Sequence, residues 1–354
     1  MFNLLISKFK LKHLLGGLAL LAGLIWLAVF SFPDQKLHLI FCDVGQGDAI
    51  LIQKGFNQIL IDGGPNNKVL DCLSKNMPFW DRTIEIVALT HPQADHLGGL
   101  NYVLERYSVN YFLSGPEGNE SAGYKQLIAK IVKKQSSSNN PLTFSNDPLA
   151  KSITGIRSTT STTGIKVINP YTGQKIKFAG MELETLWPEK NWVANSILEA
   201  VAYSGDRYGG TILNSNDQPS SNDPLTSSNY PLNLDGAILG ASTTHDLNDF
   251  SLVFLLKYGQ FQALFPGDAD AGIQDEILLT NTTLKRIDIL KVPHHGAKTS
   301  LRDDFLEKIK PKIAIISVGK NSYGHPSKEV IEKLSNLGIK IRRTDLEGEI
   351  RFKF

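Results

Sequence analysis

Five of the eight histidines, at 91, 96, 294, 295 and 325, fall in three short runs. The densest run reads His91-Pro-Gln93-Ala-Asp95-His96-Leu-Gly-Gly. Imidazole and carboxylate groups within six residues, on a turn from strand to helix, can converge on one metal ion. A lone histidine is more often a satisfied polar residue, but two with an acid at this spacing are hard to explain structurally. Phe265-Pro-Gly-Asp268 closes an apolar strand. Its acid reads either as a helix N-cap or as a carboxylate bridging two metal ions. Val292-Pro-His294-His295-Gly-Ala-Lys298-Thr299-Ser300 follows a further apolar strand. Adjacent histidines point in different directions, so one of His294 and His295 is expected to serve a given ion. Gly324-His325-Pro-Ser327 carries a fifth histidine, with Ser327 placed as a helix N-cap. Asp43-Val-Gly-Gln-Gly-Asp48 and Ile61-Asp62-Gly-Gly64 lie in the opening hairpins. These nitrogen and oxygen donors suit one or two divalent ions, Zn²⁺ or Mn²⁺. Cys42 falls inside an apolar strand and Cys72 on a helix face; both read as small core residues, with no disulfide expected.

The elements that must position these groups alternate. β-rich runs at 36–42, 48–53 and 57–62 are separated by glycine-containing turns and read as an antiparallel meander. A helix is expected near 67–76 and an apolar strand at 84–90 leads into His91. Further strands are expected at 165–168, 182–187, 251–257, 261–265, 286–292, 312–318, 339–343 and 349–354. Helices are expected at 97–106, 121–134, 270–279, 300–308 and 327–337. Strands with helices interleaved suggest sheets covered by helices on their outer faces. A four-layer αββα sandwich fits this α/β pattern, which does not by itself exclude other α/β folds. Ligands gathered at strand ends are the expected layout of a site on such a scaffold.

Residues 14–32 carry no charge and no proline, and Lys8, Lys10, Lys12 and His13 precede them. Such a run comes close to spanning a bilayer core, and its flanks leave the first 13 residues cytoplasmic. The expectation is a single-pass signal anchor with residues 36–354 as one domain on the outer side of the cell membrane. A cleaved signal peptide fits less well, because the run is long and no clear cleavage site follows it. The 354 residues hold 37 basic and 35 acidic side chains, which argues against a chain-wide polybasic coat. Two Ser/Asn/Pro-rich segments, 135–149 and 218–232, match at 11 of 15 positions. They read as solvated insertions, near 135–164 and 205–235, since such composition buries too little apolar area to order itself.

DVGQGDAILI, LIDGG, THPQADHLGG, FPGD, VPHHGAKTS and YGHPSKEVIEKL occur in the order seen in metallo-β-lactamase-fold hydrolases. Together with RTDLEGEI they resemble most the C-terminal domain of the competence protein family ComEC, from about residue 37 to 354 outside the insertions. The channel domain of that family has no counterpart in this sequence, so the chain is not expected to form a DNA channel by itself. The resemblance implies that His91 serves a first metal, Asp95 and His96 a second, with Asp268 bridging. One of His294 and His295 would complete the second site and Asp62 would orient the ligand loop. Gln93 stands where the family pattern has a metal-binding His or Asp, and no downstream lactamase-type histidine matches. Asn248 or Asp249 would substitute, and the two ions are expected to bind unequally.

The reading that follows is metal-assisted hydrolysis of a phosphodiester, with single-stranded DNA as substrate and the DNA-uptake machinery as a partner. Asp95, Lys298 and His325 would act at the reaction, Lys298 as a cation and His325 as a general acid. Thr299 and Ser300, at a helix start, would hold a phosphate oxygen. Two alternatives stay open: a hydrolase of another ester, and a decayed module that binds DNA without cutting it. A panel of carboxyl and phosphate esters separates the first alternative, and metal content below one ion per chain supports the second.

Overall fold

Leu37, Leu39 and Phe41 alternate with Ile40 and Cys42, and both sets are buried. A strand apolar on both faces needs cover on both faces, and the fold supplies it. The computed structural model describes residues 11–23, 26, 32–136, 152–153, 164–197, 245–281 and 284–354. The first sheet joins β1 (Leu37–Phe41), β2 (Ile50–Lys54), β3 (Asn57–Ile61), β4 (Thr83–Ala88), β5 (Ser108–Leu113), β7 (Lys166–Ile168) and β15 (Ile350–Lys353), in the order β15-β1-β2-β3-β4-β5-β7. The second joins β6 (Ser152–Ile153), β8 (Lys175–Phe178), β9 (Met181–Trp187), β10 (Val253–Tyr258), β11 (Phe261–Phe265), β12 (Ile289–Lys291), β13 (Ile313–Ile316) and β14 (Lys340–Arg343), in the order β14-β13-β12-β11-β10-β9-β8-β6. β1, β2 and β3 pair antiparallel, whereas β3, β4, β5 and β7 run parallel, as do β11 to β14.

Three apolar layers separate four layers of structure. Between the sheets Leu39, Phe41, Ile52 and Ile61 meet Phe254, Leu256, Phe265 and Ile289. Outside the first sheet, Leu51, Leu60 and Val87 pack on residues of α1 (Lys68–Asn76), the single turn α2 (Ala94–Leu97), α3 (Leu100–Arg106) and α4 (Ala122–Ser136). Outside the second sheet, Leu264, Leu290 and Ala314 pack on α5 (Ala271–Thr280), α6 (Asp303–Ile309) and α7 (Lys328–Asn336). The α/β sandwich expected from the strand and helix order is thus the fold that forms.

Several sequence expectations change. β5 and β8 fall outside the expected strands. The sequence Ser-Val-Asn-Tyr-Phe-Leu of β5 mixes a polar start with apolar residues, and parallel pairing with β4 decides its conformation. Residues 152–153, inside the expected first insertion, form the edge strand β6 beside β8. The insertion segments 137–149 and 218–232 lie outside the described residues. Cys42 and Cys72 form a disulfide across 30 residues, where two reduced core thiols were expected. The end of β1 and the inner face of α1 bring the two sulfurs together, a proximity that sequence spacing does not reveal. Residues 11–23 are helical with exposed apolar side chains, and residues 24–25 and 27–31 lie outside the described residues. Among the described residues no helix is long and apolar enough to cross a membrane, so the transmembrane expectation draws no support there.

Candidate metal centre

The functional side chains collect at one edge of both sheets. Asp62 follows β3, Thr90 and His91 follow β4, Asp268 follows β11 and His295 follows β12. Asp48 precedes β2, whose antiparallel direction brings its start to the same edge. α2 adds Asp95 and His96. Glycine allows the close approach of these loops. A Cβ on Gly47, which has φ +140°, would stand 2.2 Å from the Asp95 carbonyl oxygen, so the Asp43–Asp48 loop lies directly against the His91–His96 turn. The Asp48 amide donates to that same carbonyl at 3.2 Å.

Three imidazoles share one pattern. His96 Nδ1 lies 2.9 Å from Asp62 Oδ2, His295 Nδ1 lies 2.8 Å from the Ser317 carbonyl, and His91 Nδ1 lies 3.1 Å from Thr90 Oγ1. Thr90 donates its hydroxyl to Asp62 Oδ2 at 2.8 Å, which leaves its oxygen to accept from His91. Each Nδ1 therefore holds its ring, and each Nε2 is left without a hydrogen-bond partner although it is buried. A buried polar atom without a partner costs about 1–3 kcal/mol. A ring held at one nitrogen by an outer hydrogen bond, with the other nitrogen turned toward neighbouring donors, is how metal-bound histidines are held, so the three are candidate ligands.

The separations fit the same reading. His96 Nε2 stands 3.4 Å from Asp268 Oδ2, and His295 Nε2 stands 3.5 Å from that oxygen and 3.3 Å from Asp95 Oδ2. Donors about 2.0–2.1 Å from a tetrahedral ion lie roughly 3.4 Å from one another. Ligand atoms of His91, His96 and Asp268 lie within 4.8 Å of one another, as do those of Asp95, His96 and His295. The residues present thus fit a divalent ion. Asp95 alone of these keeps a partly exposed side chain, 31%, which marks the side open to solvent.

Charge among these groups is divided unequally. Burial works against a charged His96 ring, yet the Asp268 and Asp62 carboxylates push its pKa well above the ordinary value. Burial and the neighbouring His96 pull His91 down to about 3. Burial would raise Asp95 and Asp268, but the histidines facing them hold both below the usual carboxylate range.

Sequence reasoning overlooked Lys291. It continues the inner face of β12 beyond Ile289, is 1% exposed, and its ammonium contacts the Asp48 carboxylate. It also donates to the Gly267 carbonyl at 3.0 Å and lies 3.4 Å from Asp268 Oδ1. Burial favours its neutral form, but Asp48 and Asp268 raise its pKa and keep it charged. Asp268 is thereby engaged on one oxygen by lysine, with the other facing the histidines. A lysine ending an apolar parallel strand was the available signal. Thr90, which holds Asp62 and His91, carried no such signal.

Other expected site residues fall elsewhere. His294, with φ +47°, turns from the donor group and stands 5.6 Å, ring to ring, from His325, so His295 is the histidine the backbone presents. Gln93 donates to Asn248 Oδ1 at 2.8 Å, which occupies the oxygen Asn248 would offer an ion, and Asp249 belongs to none of the donor groups among the described residues. Lys298 is exposed and paired with Glu329 at 2.9 Å, a surface ion pair in place of the expected site cation. Thr299 and Ser300 do not start a helix. α6 begins at Asp303, and Asp303 and Asp304 fill its first turn, where they repel a phosphate. Ser300 is completely buried and Thr299 exposed. His325 sits at the rim beside exposed Tyr323, rings 5.7 Å apart. Burial and the charges of His294 and His295 lower its pKa.

Residues 42–147 match the model of the metallo-beta-lactamase superfamily. The chain is 36% identical over 108 residues to ComE operon protein 3 of Bacillus subtilis and, over the same length, 36% identical to recombination protein 2 of Haemophilus influenzae. Each match covers 30% of this chain and only 14% and 13% of those relatives, so the chain spans a small part of their length. Competence protein ComA of Neisseria gonorrhoeae is 32% identical over 108 residues, 30% of this chain and 16% of its own. Among solved structures, the metallo-beta-lactamase fold protein YhfI from Bacillus subtilis aligns with 90% of this chain and all of its own, at 10% identity and a TM-score of 0.46. The sheets, the strand-end site and the matched residues describe a metallo-β-lactamase-fold protein related to the ComEC family of competence proteins.

Proposed function

We propose that this protein is a metal-dependent phosphodiesterase, a nuclease acting on DNA, with single-stranded DNA as substrate. The observation that carries the reading is that the partnerless buried Nε2 atoms belong to two donor groups that share His96, one with His91 and Asp268 and the other with Asp95 and His295. A divalent ion, Zn²⁺ or Mn²⁺, supplies a Lewis acid for a phosphoryl oxygen and lowers the pKa of water toward neutrality. Asp95, His96, His295 and Asp268 hold the tighter ion in this reading. His91 and Asp268 are left for a weaker second ion, because the Asn248 side-chain oxygen already accepts from Gln93. Asp62 fixes the His96 ring, and Lys291 fixes the carboxylate plane of Asp268. Asp95, partly exposed, stands where a proton or water can enter. DNA as substrate rests on the relation to proteins named for competence and recombination.

The same reading places the domain outside the cytoplasmic membrane, held by residues 14–32 and able to meet a DNA-uptake apparatus. The Cys42–Cys72 bridge supports that side, since disulfides persist in oxidising compartments. The test is cleavage of single-stranded DNA by the purified full chain with Zn²⁺ or Mn²⁺, alongside metal analysis. Cleavage that disappears in Asp95→Ala and Asp268→Ala is expected. A wild-type protein that holds its ion yet leaves DNA, RNA and simple phosphodiesters intact overturns the proposal.

A further inference from the structure

We infer that the edge of the sandwich opposite the metal centre rests on the membrane surface through an aromatic cluster, so that the site faces away from the bilayer. This rests on the proposed anchor at 14–32 and adds an orientation to it. Phe32, the last residue of that apolar run, meets Phe56 with rings 5.6 Å apart and Trp80 at 6.0 Å, and Trp80 meets Phe79 at 4.8 Å. Phe79 is 76% exposed, Phe32 58% and Trp80 41%. Ordinary core packing hides such rings; here three of the four present large apolar faces to solvent.

Topology fixes where the cluster lies. Phe56 belongs to the hairpin between β2 and β3, Phe79 and Trp80 lie in the loop that leads into β4, and Phe32 lies before the start of β1. The site residues stand at the other ends of those same strands. β4 has six residues, so at about 3.3 Å each the two edges are separated by roughly 20 Å. Phe and Trp rings with one side apolar and one side wet suit the bilayer interface, where aromatic residues concentrate. Arg82, exposed two residues beyond Trp80, adds a charge that suits anionic headgroups. The occupant is argued from continuity: the rings that project from the domain are in contact with the residue where the apolar run ends.

The experiment uses the full chain reconstituted in vesicles of phosphatidylcholine and phosphatidylglycerol, with lipids brominated near the headgroup as quenchers. Trp80 emission is isolated as the difference between the wild type and Trp80→Phe. Resistance to alkaline carbonate extraction, with at least half of the Trp80 emission quenched and that quenching lost in Phe79→Asp, is the expected result. Retention in the membrane with Trp80 unquenched overturns the orientation and leaves the anchor standing. Release by carbonate overturns both. Zinc content of each variant verifies that the distant site has folded.

Discussion

Replacing Cys42 and Cys72 together by alanine tests how the site loops are held. The bridge is buried at both ends, 1% and 5% exposed, and spans 30 residues that include Asp48 and Asp62. Closing a loop of that length removes about 12 cal/mol/K of entropy from the unfolded chain, or about 3.6 kcal/mol at 25 °C. Truncating two side chains as small as these adds little to that figure. Urea denaturation of the full chain, followed by tryptophan emission, is expected to show the double variant less stable by about 3–4 kcal/mol with an unchanged slope. Non-reducing peptide mapping of the wild type is expected to recover the 42–72 linkage. The reasoning is refuted if the linkage is recovered and the two proteins unfold within about 0.5 kcal/mol of each other. Free thiols in protein taken from an oxidising compartment refute the bridge itself.

Three further outcomes follow from the buried charges. Lys291→Met leaves Asp48 and Asp268 without their cation and is expected to cost about 3–5 kcal/mol in urea denaturation, whereas Asp48→Asn with Lys291→Met removes one charge of each sign and costs measurably less. Asp62→Asn disturbs the partner of His96 Nδ1 and is expected to weaken metal binding about 10–100-fold by chelator competition, with the fold intact by circular dichroism. Glu117 is buried, and burial pushes its carboxyl well above the ordinary 4.5. Its folded pKa exceeds its unfolded one, so the stability that its protonated form contributes is present below pH 4.5 and is lost as pH rises through the folded value. Glu117→Gln is therefore expected to leave the melting temperature unchanged near pH 4.5 and to raise it at pH 8; equal shifts at both values refute the assignment.

How far the sequence carried depended on whether a property was local. The meander at 37–61, the strand into His91 and the helices at 122–136, 271–280 and 328–336 were legible, because apolar periodicity and turn residues act within a few positions. The expected helix at 300–308 started late, since its beginning is set by Arg302 and Asp303 and by packing of Phe305, not by Thr299 and Ser300. β5 and β8 needed neighbours to define them. The choice between His294 and His295 turned on two positive φ angles that place one ring inward and the other toward His325.

The sequence by itself determined the kind of chemistry: histidines and acids at strand ends, in an order that few folds share, with nitrogen and oxygen donors suited to a divalent ion. Tertiary structure decided which of them meet. Lys291 and Asp48 lie 243 positions apart in the chain and touch because the end of β12 and the loop before β2 meet at one edge of the sandwich. Cys42 and Cys72 became a bridge, Lys298 a surface ion pair, and Gln93 the partner of Asn248 for the same reason. Residue type is written locally, but a side chain's partner is set by the packing of elements distant in sequence, and partnership decides whether a charged group binds, buttresses or faces solvent.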